Sequence, residues 1–193
     1  MIEFSILIPT LTSRRVAAER LWDKLDAQVK DVENVELLML RDNKRRTTGA
    51  KRQALLDIAR GRYIAFVDDD DDVSSDYVLK IMAKILTPQS PDLIVFPIRC
   101  TINGGQEGIV MPSVEFVNEP IREYSAPVTF RPPHHLCVWK RDIAVQGRFP
   151  DIQHGEDFKW ARQVWPLVKS EIAVEECIYH YRWDKNVTEA EPV

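Results

Sequence analysis

Short apolar runs alternate with segments of helical periodicity through the first hundred residues. Each run is closed by proline or polar residues, which predicts a buried strand, and these runs cover residues 4–8, 35–40, 63–67 and 92–96. Between them, apolar residues recur at helical spacing after a threonine or serine that can cap a helix, over residues 15–29, 48–59 and 76–85. This alternation predicts an α/β fold with a mostly parallel central sheet covered by helices on both faces.

The second half of the chain is less regular. The sequence Asn-Gly-Gly at residues 103–105 predicts a hairpin turn, and five prolines within residues 111–133 predict a wrapping segment without helices. We expect a further helix over residues 156–164 and a late strand over residues 172–180. Because no repeat or linker divides the chain, we expect one domain spanning residues 1–193.

Composition and charge narrow the function classes. The net charge is −4, so the chain as a whole is not electrostatically attracted to nucleic acid or to an anionic membrane. Eight Lys and Arg residues nevertheless lie within residues 41–62. No stretch approaches the ~18 apolar residues of a membrane span, and the first residues lack the pattern of a secretion signal. The three cysteines are widely separated, which favours a reducing compartment. We therefore expect a soluble, cytoplasmic protein.

Five consecutive aspartates, residues 68–72, follow the third predicted strand. Ligands of α/β sheets bind beyond the carboxyl ends of the strands, and Thr10 and Asp42 end two other strands at the same edge. Adjacent carboxylates repel one another, so either they face water at a helix start or a cation binds them. Alternate residues of an extended segment share a side, which predicts that Asp68 and Asp70 meet as a site for Mg²⁺ or Mn²⁺. For the last two aspartates both interpretations stay open.

A second candidate site is the capped, basic helix start TTGAKR at residues 47–52. The N–H groups of a helix start attract anions, Gly49 allows a close approach, and Lys51 and Arg52 add positive charge. An ordinary exposed amphipathic helix explains the same residues, and only the nearby aspartates favour the anion site. The chain lacks the signature G-x-x-x-x-G-K-[ST], which argues against a P-loop nucleotidase.

Together these motifs resemble those of family 2 glycosyltransferases of the GT-A fold, from residue 5 to about residue 182. SILIPT resembles the family's first strand, GAKRQALLDIARGRYIAFVDDDD its helix-and-strand segment with the D-x-D motif, and HGEDF its Glu-Asp motif. D-x-D after such a strand, with Glu-Asp roughly 85 residues later, is a fairly specific combination. The segment RDNKRR departs from the family's usual acidic-acidic-small turn, which leaves the base preference open.

The resemblance implies a role for each matching residue. Asp70 would ligate the metal, and His180 falls where some members place another metal or diphosphate contact. Asp157 would be the general base that deprotonates the acceptor hydroxyl, with Glu156 supporting it, although acidic residues also suit a plain helix start. The residues expected to bind the donor nucleotide are Pro9, Thr10, Asp42, Gly49, Arg52, Asp68 and Asp69.

The implied activity is a metal-dependent, inverting transfer of a sugar from a nucleoside diphosphate sugar. Mn²⁺ or Mg²⁺ would neutralise the leaving diphosphate. Residues 1–100 would bind the nucleotide sugar and residues 101–193 the acceptor. The acceptor hydroxyl would belong to a glycan, a lipid-linked saccharide, a protein or a modified nucleic acid.

Two other function classes fit parts of the pattern. A sugar-phosphate nucleotidyltransferase shares the α/β sheet and an acidic metal site, but the glycine-rich opening loop expected there is missing. A non-enzymatic module would hold Ca²⁺ in the acidic loop, although the aspartates do not match the EF-hand spacing.

The sequence PPHHLCVW at residues 132–139 invites a zinc interpretation. Tetrahedral zinc sites need four ligands with regular pairing, and no second cluster has that spacing, which disfavours zinc. Two interpretations stay open: His134, His135 and Trp139 line the acceptor side, or Trp139 is core and the histidines lie on a loop.

Overall fold

The computed structural model describes residues 1–30, 32–119 and 127–184, with only the backbone of Gln106 described. The strands are β1 (Phe4–Leu11), β2 (Val35–Asp42), β3 (Tyr63–Phe66), β4 (Asp72–Val73), β5 (Leu93–Val95), β6 (Ile98–Ile102), β7 (Gln106–Pro112), β8 (Val128–Arg131), β9 (Val138–Lys140), β10 (Glu171–Ala173) and β11 (Tyr179–Trp183). The α-helices are α1 (Arg15–Val29), α2 (Thr48–Ile58), α3 (Tyr77–Ile85), α4 (Arg141–Ala144) and α5 (Glu156–Val164).

A six-stranded central sheet has the order β10-β5-β9-β3-β1-β2. Its pairs are parallel except around β9, which runs antiparallel to both β3 and β5. The predicted α/β class with a mostly parallel sheet is therefore confirmed. The four strands expected in the first hundred residues form as β1, β2, β3 and β5.

A second, five-stranded sheet has the order β4-β11-β6-β7-β8. Its β6 and β7 pair antiparallel through the turn predicted at residues 103–105, where Asn103 and Gly104 adopt positive φ. The single late strand predicted over residues 172–180 is wrong, because β10 joins the central sheet and β11 joins the second. The even spacing of apolar residues there reflects a crossing segment whose Val174 and Ile178 are buried between the sheets.

Two other local predictions need correction. The segment expected to wrap without helices contains a short 3-10 helix, Val114–Phe116, as well as the strand β8, and residues 120–126 of that segment lie outside the described residues. Before α3, the N-cap residue is Asp76, whose side chain accepts no helix N–H, and the Ser74 hydroxyl donates to Asp76 at 2.6 Å, so the predicted serine cap does not form. By contrast, the cap predicted before α2 forms, because Thr47 Oγ1 accepts the Ala50 N–H at 3.1 Å.

Hydrophobic cores lie on both faces of the central sheet. One contains buried side chains of α1, α3 and the second sheet, and the other contains those of α2, α4 and α5. Trp139 on β9 is fully buried and packs edge-on against Trp160 of α5, with ring centroids 5.1 Å apart. Trp139 is therefore a core residue. The second of these cores holds α2 and α5 against the central sheet, near the edge where the strands end.

Candidate active site

A cavity of about 920 Å³ opens at the carboxyl ends of β1 and β3, between the central and the second sheet. Its polar half is lined by the end of β1, the first aspartates after β3, the start of α2 and the start of α5. The topology brings these ends together because parallel strands present their carboxyl ends at the same edge. The polar side chains of this half are Thr10, Arg14, Lys51, Arg52, Asp68, Asp69, Asp70, Glu156 and Asp157.

Asp68 is held by two cationic groups. Arg52 Nη2 lies 2.8 and 3.0 Å from its two carboxylate oxygens, and His135 Nε2 lies 3.1 Å from Oδ2. Burial opposes ionisation of Asp68, but the charges of Arg52 and His135 outweigh it and hold its pKa well below the usual range. Asp68 is therefore a carboxylate at neutral pH, oriented by the protein itself.

Asp69 and Asp70 share Arg14 as a partner. Asp69 accepts the Thr10 hydroxyl at 2.6 Å and pairs with Arg14 Nη1 at 2.7 Å. Asp70 lies 3.4 Å from Arg14 Nη2 and faces the cavity. Arg14 was not among the predicted site residues, although its position shortly after the first strand was visible in the sequence.

Asp71 and Asp72 do not line the cavity and instead contact other residues of the chain. Asp71 is 1% exposed and accepts hydrogen bonds from the Tyr179 hydroxyl at 2.6 Å and from the Arg182 N–H at 2.8 Å. Burial, with Asp70 and Asp68 nearby, raises its pKa well above the usual range. Asp72 pairs with Lys24 and with Arg182, both at 2.6 Å. These two aspartates join the acidic segment to β11 and α1.

The two acidic residues at the start of α5 occupy different surroundings. Glu156 is buried, with Oε1 3.4 Å from Arg52 Nη1, and burial raises its pKa. Asp157 Oδ2 lies 3.0 Å from His135 Nδ1. Burial alone would raise the pKa of Asp157, but the bond and charge of His135, reinforced by Arg52, hold it well below the usual range.

His135 bridges the two ends of the polar half. Its Nε2 faces Asp68 and its Nδ1 faces Asp157, so one imidazole ring joins the aspartate segment to α5. Burial and Arg52 disfavour a charged ring, yet the two carboxylates outweigh them and raise the pKa of His135. Sequence reasoning named His135 only as a possible acceptor-side residue and missed this bridge.

Three predicted donor residues lie at or near the cavity with protein partners of their own. Pro9 lines it beside Thr10, whose carbonyl accepts from Lys51 Nζ at 3.1 Å. Asp42 accepts the Arg46 N–H at 2.9 Å and lies 3.7 Å from Lys51. Gly49 is a packing glycine: a Cβ there would lie 1.9 Å from the Pro150 carbonyl oxygen. The packing against Pro150 therefore accounts for a glycine at position 49 without any ligand contact.

His180 is not brought to the cavity. Neighbouring side chains of a strand point to opposite faces, and on β11 Tyr181 lines the cavity. The His180 ring instead lies 2.6 Å from the Thr101 hydroxyl on β6. The geometry therefore separates His180 from Asp70.

The basic stretch over residues 41–62 does not form a single exposed face. Lys51 and Arg52 are 4% exposed and lie inside the site, while Arg60 and Arg62 pair with glutamates at 2.7 Å. Arg41 at the end of β2 and Lys44, Arg45 and Arg46 after it are exposed, and the side chain of Arg60 is 73% exposed.

A family model described as Glycosyl transferase family 2 matches residues 17–139. The chain belongs to glycosyl transferase family 2. No curated protein sequence matches it significantly. Among solved structures, residues 1–349 of S. aureus TarS match with a TM-score of 0.66 at 16% identity, covering 94% of this chain and 60% of that one. Their complex with UDP-GlcNAc gives a TM-score of 0.66 at 15% identity, covering 99% and 60%.

The structural matches establish the GT-A fold and no finer property, because identity is so low. This family member spans 60% of the length of the TarS segment, and 37% of a longer TarS structure that it matches with a TM-score of 0.61. No helix within the described residues has the length and apolar character needed to cross a membrane.

The acidic segment fits a metal ion whose coordination is completed by the phosphates of a bound substrate. Within residues 1–30, 32–119 and 127–184, no group of three or more His, Cys, Asp or Glu side chains is arranged to hold a metal ion. Asp70 nevertheless presents a carboxylate to the cavity, and Mg²⁺ is commonly bound by one or two carboxylates together with substrate phosphates. These residues therefore fit a cation completed by a diphosphate, not a cage formed by protein alone.

Proposed function

We propose that the protein transfers a sugar from a nucleoside diphosphate sugar to an acceptor hydroxyl, with inversion at the anomeric carbon. The observation that supports this proposal is that Asp70 and Asp157 line one cavity, and that His135 joins Asp157 to Asp68, two residues before Asp70. This arrangement gives a family 2 protein both an acidic group for the diphosphate side and a carboxylate for the acceptor.

The donor would lie along the polar half of the cavity. Thr10 and Pro9 line it at the end of β1 and would contact the nucleoside, and Lys51 contacts both the Thr10 carbonyl and Asp42. Arg14 and Lys51 supply positive charge beside the aspartates, which suits a diphosphate. A UDP sugar is the first donor to test, because one of the solved TarS structures contains UDP-GlcNAc.

Mn²⁺ or Mg²⁺ would be held by Asp70, with Asp69 beside it. When bound, the cation would neutralise the charge that develops on the leaving diphosphate. Arg14 contacts both carboxylates, so it orients them toward the cavity before any ligand arrives.

Asp157 would act as the general base. Its lowered pKa keeps it ionised at neutral pH, and the acceptor hydroxyl loses its proton only as the new bond to the sugar forms. His135 fixes one oxygen of this carboxylate, which leaves the other to meet the hydroxyl. Attack from the α5 side, opposite the diphosphate, inverts the anomeric configuration.

The first experiment measures nucleotide binding by calorimetry. UDP, GDP, dTDP and CDP are each titrated with Mn²⁺ and with EDTA into the wild-type protein and into Asp70→Ala. We expect one nucleotide to bind, and that binding to be lost with EDTA and in the variant. Metal binding without any nucleotide would favour a metal-binding module, and release of pyrophosphate from a nucleoside triphosphate would favour a nucleotidyltransferase.

A second experiment tests the base. In Asp157→Asn we expect sugar transfer to fall by about 10²–10⁴-fold, because the amide cannot accept the proton. Nucleotide binding should persist, and Asp142→Asn, an exposed position on α4, is the matched control. Transfer by Asp157→Asn at the wild-type rate would remove Asp157 from the mechanism.

A further inference from the structure

The part of the cavity that is lined by the second sheet has an apolar floor. Ile98 and Cys100 lie two residues apart on β6 and therefore share a face of the second sheet. In the strand register Ile98 lies opposite Val110 of β7, and Cys100 opposite Tyr181 of β11, and all four line the cavity. This floor is aliphatic and aromatic, whereas the polar half carries carboxylates and cations.

Two aromatic rings of the α5 region form the opposite wall. Phe158 and Trp165 line the cavity and pack edge to face, with ring centroids 5.6 Å apart. Trp165 Nε1 donates to the Pro133 carbonyl at 2.7 Å, so the protein satisfies the polar atom of this ring. Its carbon surface is then what a ligand would meet.

Little charge accompanies these walls. Burial lowers the pKa of His134 to about 3 and raises the pKa of the Cys100 thiol to about 12, so both are neutral near pH 7. Arg131 is the charged residue of this part among the described residues that line the cavity. Arg162, outside the cavity lining, lies over the Phe158 ring at 5.7 Å from its centroid, so a polyanionic acceptor would meet one lining cation and mostly hydrocarbon.

We propose that this apolar slot, formed by Ile98, Cys100, Val110, Tyr181, Phe158 and Trp165, binds an acceptor whose hydroxyl is carried beside an alkyl or aryl group. The proposal rests on the proposed function, because Phe158 directly follows Asp157 and the slot therefore starts beside the base. The cavity volume of about 920 Å³ is near the upper end of the ~300–1,000 Å³ usual for ligand pockets, which suits two substrates side by side.

An oligosaccharide acceptor fits these walls less well. Its hydroxyls would lose water against aliphatic side chains without gaining hydrogen bonds, which weakens binding. An alkyl chain gains affinity from the same walls, at about 3- to 4-fold for each methylene removed from water.

The test compares three probes by calorimetry, with the full chain, in the presence and absence of UDP and Mn²⁺. The probes are octyl β-D-glucoside below its micellar concentration, methyl β-D-glucoside, which has the same sugar without the chain, and cellotriose. We expect the octyl glucoside to bind about tenfold or more tightly than the methyl glucoside, since several methylenes enter the slot.

Two exposed phenylalanines provide a matched pair of variants. Phe158→Ser removes a ring of the slot and should weaken octyl glucoside binding several-fold, whereas Phe130→Ser, which removes a ring that is 53% exposed on β8, should not. Cys100→Leu is a second variant, which fills the floor and should weaken the octyl more than the methyl glucoside.

Equal binding of the octyl and methyl glucosides, or tightest binding of cellotriose, would overturn the proposal. So would an equal loss of octyl binding in Phe158→Ser and Phe130→Ser, because the detergent would then be binding nonspecifically. Tighter binding of the octyl glucoside in the absence of UDP would support the slot by itself. If no sugar transfer were detected in the same protein, only the proposed function would be contradicted.

Discussion

Arg52 holds the polar half of the cavity together, and its removal gives the sharpest stability prediction. It is 4% exposed and pairs with Asp68 at 2.8 Å and with Glu156 at 3.4 Å. Arg52→Met keeps the approximate length and the apolar stem but removes the charge. Asp68, whose side chain is 22% exposed, and the buried Glu156 then lose the cation that they share, while His135 still contacts Asp68.

The expected cost follows from this burial. Breaking a buried ion pair by removing one partner costs about 3–5 kcal/mol, whereas an exposed pair contributes about 0–1 kcal/mol. Both side chains of the Arg52–Asp68 pair are mostly buried, so the larger range applies. We therefore expect the free energy of unfolding at pH 7 to fall by about 3 kcal/mol or more.

Urea denaturation monitored by tryptophan fluorescence measures this change, with Arg99→Met as the control. Arg99 pairs with Glu107 at the surface, where both side chains are about half exposed. The folded-state pKa of Asp68 is lowered, so its stabilising effect is present above its unfolded pKa of about 3.9 and is lost as pH falls through the lower folded value. The deficit of Arg52→Met should therefore be largest at neutral pH and should shrink below about pH 4. Equal losses in the two variants at pH 7, or a deficit that grows on acidification, would refute the reasoning.

The remaining predictions concern packing and the bridge. Gly49→Ala places a Cβ 1.9 Å from the Pro150 carbonyl oxygen, so we expect a loss of about 2 kcal/mol or more in unfolding free energy by urea titration, whereas Gly105→Ala, with open space around the added Cβ, should cost little. If Gly49→Ala is as stable as Gly105→Ala, then Gly49 does not lie as close to the Pro150 carbonyl as described. His135→Asn removes the charge that lowers the pKa of Asp157, so the acid limb of the kcat–pH profile should move to higher pH. If the acid limb of the kcat–pH profile and KM are both unchanged in this variant, His135 does not influence the ionisation of Asp157.

Local sequence patterns were sufficient for the framework of the fold. Apolar runs and helical spacing located β1, β2, β3 and β5, because burial of a strand or one helix face imposes a period on the chain itself. The D-x-D and Glu-Asp motifs could be found in the same way, since each is a short run at an element's end. Strands β9 and β10 could not be assigned from the sequence, because each has only three residues and so short a segment shows no period.

Tertiary structure alone decided what each aspartate does. Nothing in five identical letters distinguishes Asp70, which faces the cavity, from Asp71, which lies under the Tyr179 hydroxyl supplied by β11. The alternation along β11 likewise turned His180 away from the site that its sequence neighbourhood suggested.

The bridge through His135 is the clearest case of this division. Its partners Asp68 and Asp157 are far away along the chain on either side, and neither spacing is periodic. Local sequence pattern was enough for the framework strands and helices and for the sheet edge that carries acidic groups, because backbone geometry and burial act over a few residues. Only the packing of α2, α5 and the two sheets decided which of those groups meet, because the charge and hydrogen-bond partners that set their pKa values come from distant parts of the chain.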